Sequence, residues 1–197
     1  MHQLASVRVG IAGAGGLGSN VAVHLVRTGV CRLVIADCDR VEASNLNRQF
    51  YFPDQVEMKK VTALETNLRR INPDLDLQTV DLRLTKANVG RIFNTCAIVV
   101  EALDRAEDKK MMAECFLAGP GMLVSTSGIG GWGNSDRIRT RRVGRRCVLV
   151  GDESSEISAA MPATAAIVGL AAAKQADAVV ERILGTGFKG SRIPGFE

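Results

Sequence analysis

The chain has 197 residues, 46% of them hydrophobic and 23% charged, and its 25 basic and 21 acidic residues give a formal net charge of +4. This composition predicts one soluble globular domain with a full core, and the sequence contains no internal repeat and no low-complexity segment. The small positive charge does not call for a nucleic-acid partner, and one Trp and one Tyr are too few for the aromatic platforms of single-strand binders.

Cysteine usage and hydropathy exclude further classes of protein. The cysteines are odd in number, scattered and never spaced as C-x-x-C: Cys31, Cys38, Cys96, Cys115 and Cys147. This pattern argues against a disulfide scaffold and against a structural zinc site. The N-terminus lacks a secretory signal pattern, and no stretch reaches the ~18 apolar residues of a membrane span. We therefore expect a cytoplasmic protein without a membrane partner.

Strands and helices alternate over the first two thirds of the chain. Apolar periodicity predicts strands at 7–12, 32–36, 77–81, 97–102 and 122–126, with helices at 17–28, 57–71, 86–93 and 106–118. Beyond residue 127 the sequence predicts a Gly-rich loop, an antiparallel hairpin that turns at Gly144, and a helix over 163–184. The expected fold is a doubly wound, Rossmann-like α/β domain over 1–185, mostly parallel, with a C-terminal hairpin and helix. We expect 186–197 to be a mobile tail.

A Gly-rich turn follows the first predicted strand. Gly13, Gly15 and Gly18 in VRVGIAGAGGLGSN satisfy the G-x-G-x-x-G pattern at the start of a helix, where free N–H groups favour an anion. Asp37 ends the second strand about 20 residues later, where a Rossmann-type site places the carboxylate that binds a ribose. Together these features predict a nucleotide site.

The loop after Asp37, DCDRVEASNLNRQFYF, is dense in polar side chains. Asn45 and Arg48 are three residues apart and could reach phosphate oxygens together, with Lys60 adding a point charge. The competing interpretation of Arg48 is a salt bridge with Glu42 or Asp39. For Lys60 taken alone, the competing interpretation is a solvated helix lysine.

The fourth strand ends in IVVEALD, which brings Asp104 to the carboxyl edge of the sheet. A carboxylate opposite a triphosphate would hold Mg²⁺, which takes one or two protein oxygens and completes its shell with phosphate oxygens. Asp104 could also cap the helix that begins near Ala106. By strand alternation Glu101 faces away from Asp104.

The predicted hairpin carries a cluster of basic residues: Arg137, Arg139, Arg141, Arg142, Arg145 and Arg146. A solvated hairpin explains the cluster better than an RNA site does. Cys147 lies in the apolar strand that follows, and we interpret it as a core thiol and not as a sulfur-transfer residue.

Several of these segments resemble one family. GAGGLGSN, DCDRVEASNLNRQ, Lys60 ahead of RRINP, and ALD at a strand end resemble the ThiF/MoeB/HesA family, bacterial relatives of the adenylation domain of ubiquitin-activating enzymes. The resemblance covers about residues 7–185. It is greatest to the short ThiF type without zinc cysteines, whose GD-x-x-SE turn and QA-containing helix correspond to Gly151-Asp152, Ser155-Glu156 and Gln175-Ala176.

The resemblance implies binding of ATP and Mg²⁺, and adenylation of the C-terminal glycine of a ubiquitin-like sulfur carrier ending in Gly-Gly. The carrier would be of the ThiS kind used in thiamine synthesis, and the enzyme would be a homodimer. The resemblance implies that Gly16 lies against the nucleotide, Asp37 binds the ribose and Asp104 holds Mg²⁺. It places Arg105 at a neighbouring nucleotide contact. The residues implied around the phosphates are Ser44, Asn45, Arg48 and Lys60.

The same resemblance makes Arg48, Lys60 and Asp104 the expected catalytic residues. Family members also use an arginine from the partner subunit, but the candidate, Arg8, lies inside the first strand, and we assign none.

Other functions stay open at this point. A ThiF-like enzyme could activate a different acceptor, a molybdopterin-type carrier or a tRNA. A NAD-dependent oxidoreductase would share the Gly-rich turn, but the polar loop after Asp37 is not typical of one. A binding module for a ubiquitin-like tail would not need Arg48, Lys60 and Asp104.

Overall fold

In the part of the chain that the structure describes, seven strands form one sheet in the order β3-β2-β1-β4-β5-β7-β6. The structure is a computed structural model and describes residues 2–185. The strands are β1 Arg8–Ala12, β2 Arg32–Ala36, β3 Asp76–Val80, β4 Ile98–Glu101, β5 Met122–Thr126, β6 Arg139–Val143 and β7 Cys147–Gly151. All neighbours pair in parallel except β6 and β7, which form an antiparallel hairpin. The predicted doubly wound α/β fold is confirmed.

Within the described residues, six α-helices cover the two faces of the sheet. They are α1 His2–Ser6, α2 Gly16–Thr28, α3 Lys60–Arg69, α4 Val89–Ile92, α5 Ala106–Leu117 and α6 Ala165–Leu184. One core unites α2, α3 and α6 with one face, and a second core places α4 and α5 on the other. Parallel strands covered on both faces read as continuous apolar runs, which is why the sequence revealed β1, β2, β4 and β5; β3, DLQTV, lies at the sheet edge and is more polar.

The order of the strands determines where a ligand can bind. β1 pairs with β2 on one side, Ala12 opposite Ala36, and with β4 on the other, Ala12 opposite Glu101. The chain connections run in opposite directions from this point, so a crevice opens at the carboxyl ends of β1 and β4.

The structure corrects three helix predictions. The helix predicted over 57–71 begins at Lys60, because Pro53–Gln55 forms a 3₁₀ turn and Glu57 adopts a left-handed φ of 71°. α4 is shorter than the predicted 86–93, and α1 was not predicted.

The hairpin turns at Gly144, with φ 62°, as predicted. The predicted mobile tail at 186–197 lies outside the described residues.

Helix α6 buries its apolar side within the same chain. It packs on α2, β5 and β7, and its buried residues are Ile167, Val168, Ala171, Ala172, Gln175, Ala176, Ala178 and Val179. This face is therefore not free to drive dimerisation. None of the helices within residues 2–185 combines the length and the hydropathy that a membrane-spanning helix requires.

Two glycines of the Gly-rich turn are required by close backbone contacts. Gly13 has a φ of 98°, and a Cβ there would lie 2.6 Å from the Ala102 carbonyl oxygen at the end of β4. A Cβ on Gly18 would overlap the Gly13 carbonyl oxygen itself. The first turn of α2 thus packs directly on the end of β1.

Gly18→Ala is expected to lower the free energy of unfolding by about 3 kcal/mol, because backbone atoms must separate to admit the methyl group. Gly169→Ala is the matched control: the site lies in α6 with no atom within 4 Å of the added Cβ. That change should raise stability by about 0.5–1 kcal/mol through helix propensity. Urea unfolding of both variants checks the contrast, and equal stabilities would contradict the packing described for Gly18.

Candidate functional site

A cavity of about 880 Å³ opens at the crevice between β1 and β4. Its near wall contains the Gly-rich turn, the end of β2, and Arg48 and Gln49 from the polar loop. Its far wall is built from 126–129 and 153–157. The loop between β4 and α5, with Asp104 and Arg105, lies between these walls.

Asp37 closes the Gly-rich turn. Its Oδ2 accepts a hydrogen bond from the Ala14 N–H at 2.6 Å, and its Oδ1 accepts one from the Asp39 N–H at 2.8 Å. The carboxylate lines the cavity, and each oxygen keeps a lone pair for a ligand hydroxyl. Asp37 therefore has the free acceptor capacity that a ribose contact requires, and it also fixes the Gly-rich turn.

Arg48 lies in the cavity wall without a carboxylate partner among residues 2–185. Its Nη1 donates to the Asn47 Oδ1 at 2.8 Å and to the Ser44 carbonyl at 3.3 Å. Its aliphatic stem passes 3.7 Å from the position of a Cβ on Gly16. The competing interpretation of a salt bridge to Glu42 or Asp39 is therefore wrong, and the cation is available to an anionic ligand.

Lys60 is the buried member of an adjacent lysine pair. Its side chain is 8% exposed and its Nζ lies 2.8 Å from the Asp39 Oδ2. Lys59, in contrast, is 50% exposed and pairs with Asp81. The interpretation of Lys60 as a solvated lysine is therefore wrong. The ammonium does not line the cavity; it lies behind Asp39, which does.

Ser44 and Asn45 form part of a 3₁₀ turn, Ala43–Asn45. The Asn45 Oδ1 accepts a hydrogen bond from the Glu42 N–H at 3.3 Å, and the Ser44 hydroxyl donates to the Glu42 carboxylate at 3.1 Å. Neither Ser44 nor Asn45 lines the cavity. Gly18 does not line it either, and packs against the Gly13 carbonyl. The predicted residues that meet in the cavity wall are Gly13, Gly15, Gly16, Asp37, Arg48, Asp104 and Arg105.

Asp104 offers an exposed carboxylate to the cavity. The N-cap of α5 is Arg105, which pairs with Glu107, so the interpretation of Asp104 as the cap is wrong. Within residues 2–185 no cluster of three or more His, Cys, Asp or Glu could hold a metal alone. A single free carboxylate still suits Mg²⁺, which completes its shell with phosphate and water oxygens.

Several residues in or beside the cavity were not predicted from the sequence. Gln49 ends the SNLNRQ run, and its Oε1 is buried without a hydrogen-bond partner in the described part of the chain. Tyr51 donates its hydroxyl to the Ala14 carbonyl at 2.7 Å, which ties the polar loop to the Gly-rich turn. Burial, followed by the Asp37 and Asp39 charges, raises the pKa of Tyr51 far above its usual range, so it stays a neutral donor. The polar run could have indicated Gln49. The GD-x-x-SE turn could have indicated part of the far wall, because its Ser155 and Glu156 line the cavity, whereas no local pattern indicated Lys109.

The far wall is held by the Asp152 carboxylate. It pairs with Arg137 and accepts hydrogen bonds from the N–H groups of Ser154 at 2.8 Å and Ser155 at 2.7 Å. Arg137 also donates to the Gly130 carbonyl at 2.5 Å. Burial raises the pKa of the Asp152 carboxyl, but the surrounding donors outweigh it and hold the pKa well below its usual range.

Three of the six arginines predicted in the hairpin cluster pair with carboxylates of the same chain. Arg141 pairs with Glu153 and Arg142 with Glu181, each at 2.6 Å, in addition to the Arg137 contact. These pairs favour the solvated hairpin over an RNA site. Cys147 is half-buried, and burial raises the pKa of its thiol, in line with a structural residue.

Arg8 lies at the amino end of β1, where it pairs with Asp76. The cavity opens at the carboxyl end of the same strand. Arg8 is therefore remote from the cavity of its own chain.

Asp152→Asn is expected to lower the free energy of unfolding by about 2–3 kcal/mol at neutral pH. Because the folded-state pKa is depressed, the ionised form contributes stability above the unfolded pKa of about 4, and this contribution is lost as pH falls below it. The difference between wild type and variant should therefore shrink from pH 7 to pH 2.5. Denaturant unfolding across this range measures it, with exposed Glu153→Gln as a control that changes little. A constant difference would contradict the ion-pair role.

Comparison with known proteins places the chain. The sequence profile of the ThiF family matches residues 1–193. The sulfur carrier protein ThiS adenylyltransferase of Bacillus subtilis (strain 168) is 42% identical over 110 residues, 54% of this chain and 33% of that protein. The SAMP-activating enzyme E1 of Haloferax volcanii is 39% identical over 103 residues, 52% of this chain and 38% of that protein. The chain thus spans only about a third of the length of these relatives.

Solved structures agree on the fold. E. coli tRNA N6-threonylcarbamoyladenosine dehydratase, TcdA, in complex with ATP superposes with a TM-score of 0.85 at 20% identity, covering 96% of this chain and 92% of that one. E. coli MccB with ATP gives a TM-score of 0.70 at 21% identity, covering 92% and 57%. At these identities the likeness establishes architecture alone. The profile match over nearly the whole sequence shows that the chain belongs to the ThiF family.

Proposed function

We propose that this protein is an adenylyltransferase that uses ATP and Mg²⁺ to activate the C-terminal glycine of a small ubiquitin-like sulfur carrier of the ThiS type. The observation that carries the proposal is the meeting of Arg48 and Asp104, neither of them paired within residues 2–185, at the Gly-rich turn closed by Asp37. The similarity to the B. subtilis ThiS adenylyltransferase supports this choice of acceptor. We also propose that the protein acts in the cytoplasm, in thiamine biosynthesis.

The near half of the cavity fits a nucleoside triphosphate. Asp37 lines the cavity and would bind ribose hydroxyls, and the N-terminus of α2 would offer its free N–H groups to phosphate. Arg48 adds a fork of donors suited to phosphate oxygens. Arg105 follows Asp104 in the cavity wall and can contact the same nucleotide.

The far half of the cavity fits the end of an acceptor chain. A volume of about 880 Å³ is at the upper end of the 300–1,000 Å³ typical of ligand pockets, roughly room for a nucleotide and an extended peptide end. Gly128 and Ile129 form part of the wall of this half, and the exposed Ile157 gives it an apolar rim. A Gly-Gly terminus is the kind of end that passes such a wall without steric conflict.

The proposed chemistry needs charge neutralisation and orientation. The acceptor carboxylate attacks the α-phosphorus, the bond to the β-phosphate oxygen breaks, and pyrophosphate leaves with its electron pair. A carboxylate is already ionised at neutral pH and needs no base. Arg48 would neutralise the developing charge on the phosphate oxygens, and Lys60 would join it by exchanging Asp39 for phosphate.

Asp104 would hold the divalent cation together with the nucleotide phosphates. A Mg²⁺ ion bound there would act as a Lewis acid that withdraws charge from the phosphate oxygens. The chain contributes a carboxylate that is free of ion pairs among residues 2–185 and lies in the cavity wall. We retain Ser44 and Asn45 as proposed phosphate-site residues that act by shaping the loop before Arg48.

A homodimer remains part of the proposal on the strength of the family resemblance, since a partner arginine would complete the phosphate site. Nucleic acid is disfavoured as the acceptor because Arg137, Arg141 and Arg142 already pair with carboxylates. Membership of the ThiF family disfavours a NAD-dependent oxidoreductase.

The purified protein should exchange labelled pyrophosphate into ATP only when Mg²⁺ and a carrier ending in Gly-Gly are both present. The carrier dependence follows because reversal requires the acyl-adenylate of the carrier. Removal of the carrier's last glycine is the control and should abolish exchange. Persistent exchange with the shortened carrier, or tighter binding of NAD than of ATP, would refute the proposed reaction.

Arg48→Ala should lower turnover roughly 10²–10³-fold while changing ATP affinity much less, because its contact strengthens in the transition state. Asp37→Ala should instead raise the KM for ATP and spare turnover at saturation. Asp104→Asn should both lower turnover and raise the KM for ATP, and added Mg²⁺ should partly restore the two parameters. Steady-state carrier adenylation with ATP and Mg²⁺ varied independently gives these parameters.

The control for this series is Arg32→Ala, at the amino end of β2, which should behave as wild type. The reverse pattern, with Arg48→Ala altering only KM and Asp37→Ala abolishing turnover, would overturn the assigned roles.

A further inference from the structure

A fully buried carboxylate, Glu101, lies at the end of β4 beside the cavity. Its Oε1 accepts a hydrogen bond from the Leu103 N–H at 2.6 Å, and its Oε2 accepts one from the Ser125 hydroxyl at 2.5 Å. The Lys109 Nζ lies 3.0 Å from both oxygens. All the lone pairs that such a buried charge must satisfy are therefore engaged.

The same cluster uses all the hydrogen-bond donors of the Lys109 ammonium. Lys109 lines the cavity, yet its Nζ donates to both Glu101 oxygens and to the Thr126 hydroxyl at 3.2 Å. An ammonium has three donors, so none remains for a phosphate. The cluster therefore acts on the position of neighbouring groups and is not itself a phosphate site.

The group that depends on this cluster is the loop carrying Asp104. Leu103, directly before Asp104, is tied to β4 by its hydrogen bond to Glu101. Lys109 ties the first turns of α5, directly after the loop, to the same carboxylate. α5 is also held by the buried Met112 and by the Arg83–Asp108 ion pair, but the Arg105 side chain makes no capping hydrogen bond, so the contacts of Glu101 are the ones that flank Asp104 on both sides.

We propose that Glu101 is a positioning residue that fixes the Asp104 carboxylate through Leu103 and Lys109, and so sets the Mg²⁺ affinity of the nucleotide-loaded site. This inference rests on the proposed function of Asp104. A buried ion pair contributes little net stability compared with an apolar pair, but removing one partner leaves the other uncompensated. Supporting groups of this kind typically change metal affinity about 10–100-fold when mutated.

The test uses Glu101→Gln, Lys109→Met and the control Lys110→Met, an exposed neighbour on the same helix. In the nucleotide-free protein, hydrogen–deuterium exchange of 102–109 should accelerate in the first two variants and not in the control. ATP affinity is then measured with and without Mg²⁺. Glu101→Gln should lower the Mg²⁺-dependent gain in affinity about tenfold and leave Mg²⁺-free binding unchanged.

A double-mutant cycle separates positioning from general loosening. If Glu101 acts through Asp104, Glu101→Gln combined with Asp104→Asn should bind Mg-ATP no more weakly than Asp104→Asn alone. Full additivity, an unchanged Mg²⁺ effect in Glu101→Gln, or the same loss in Lys110→Met would overturn the proposal. If Glu101→Gln does not fold, Lys109→Met carries the cycle, since it retains the Leu103 hydrogen bond.

The outcomes also separate a failure of the proposed Asp104 role from a failure of the proposed Glu101 role. Wild-type protein that binds ATP without any Mg²⁺ effect would refute the proposed role of Asp104, and the positioning role with it. A wild-type Mg²⁺ effect that survives Glu101→Gln would refute the positioning role alone.

Discussion

The parallel pairing of β1 with both β2 and β4 is the constraint on which the site depends. It brings Ala12, Ala36 and Glu101 into one row, so the loops that leave all three strands meet at one edge. The Gly13 N–H donates to the Ala36 carbonyl and the Ala102 N–H to the Ala12 carbonyl, each at 2.8 Å. These bonds extend the ladder into the loops. Asp37 and Asp104 therefore stand on backbone whose position is set by the sheet.

The ends of β4 and β5 are held from both faces of the sheet. On the α5 face, Glu101 binds the Ser125 hydroxyl on the neighbouring strand. On the α6 face, the buried Gln175 donates to the Glu101 carbonyl at 3.1 Å and to the Val124 carbonyl at 3.3 Å. Buried polar groups cost free energy unless they are paired, so they persist where they specify one arrangement. Here they fix the point where the near and far walls of the cavity meet.

The sequence predicted the parts of the structure that local physics determines. Strands such as 97–102 are continuous apolar runs, and the hairpin arginines and the turn at Gly144 were read correctly. The start of α3 was placed three residues too early, because apolar spacing does not reveal the left-handed conformation of Glu57. Short helices such as α4 depend on tertiary packing more than on propensity, so their lengths are poorly encoded locally.

Within the site, the sequence predicted which residues line the cavity better than it predicted which residues contact one another. Polar residues after a buried strand indicated Asp37, Arg48 and Asp104, and all three line the cavity. The partner of Lys60 could not be read from spacing, because Asp39 meets it only after the polar loop folds back on β2. The far wall lies more than 100 residues from the Gly-rich turn in sequence. No local pattern records such a contact.

The cations around the cavity differ in whether an anionic ligand must first displace a carboxylate from them. Arg83 pairs with Asp108, Arg105 with Glu107, and Lys109 with Glu101. Among residues 2–185, Arg48 alone of the cavity-lining cations has no carboxylate partner. A phosphate that meets Arg48 therefore gains its attraction without breaking an ion pair. Engaging Lys60 requires release of Asp39, whose 63% exposed side chain can then be solvated by water. At the proposed phosphate site, Arg48 can therefore stabilise negative charge as it develops without losing an ion pair, whereas Lys60 can join it only after Asp39 has been released.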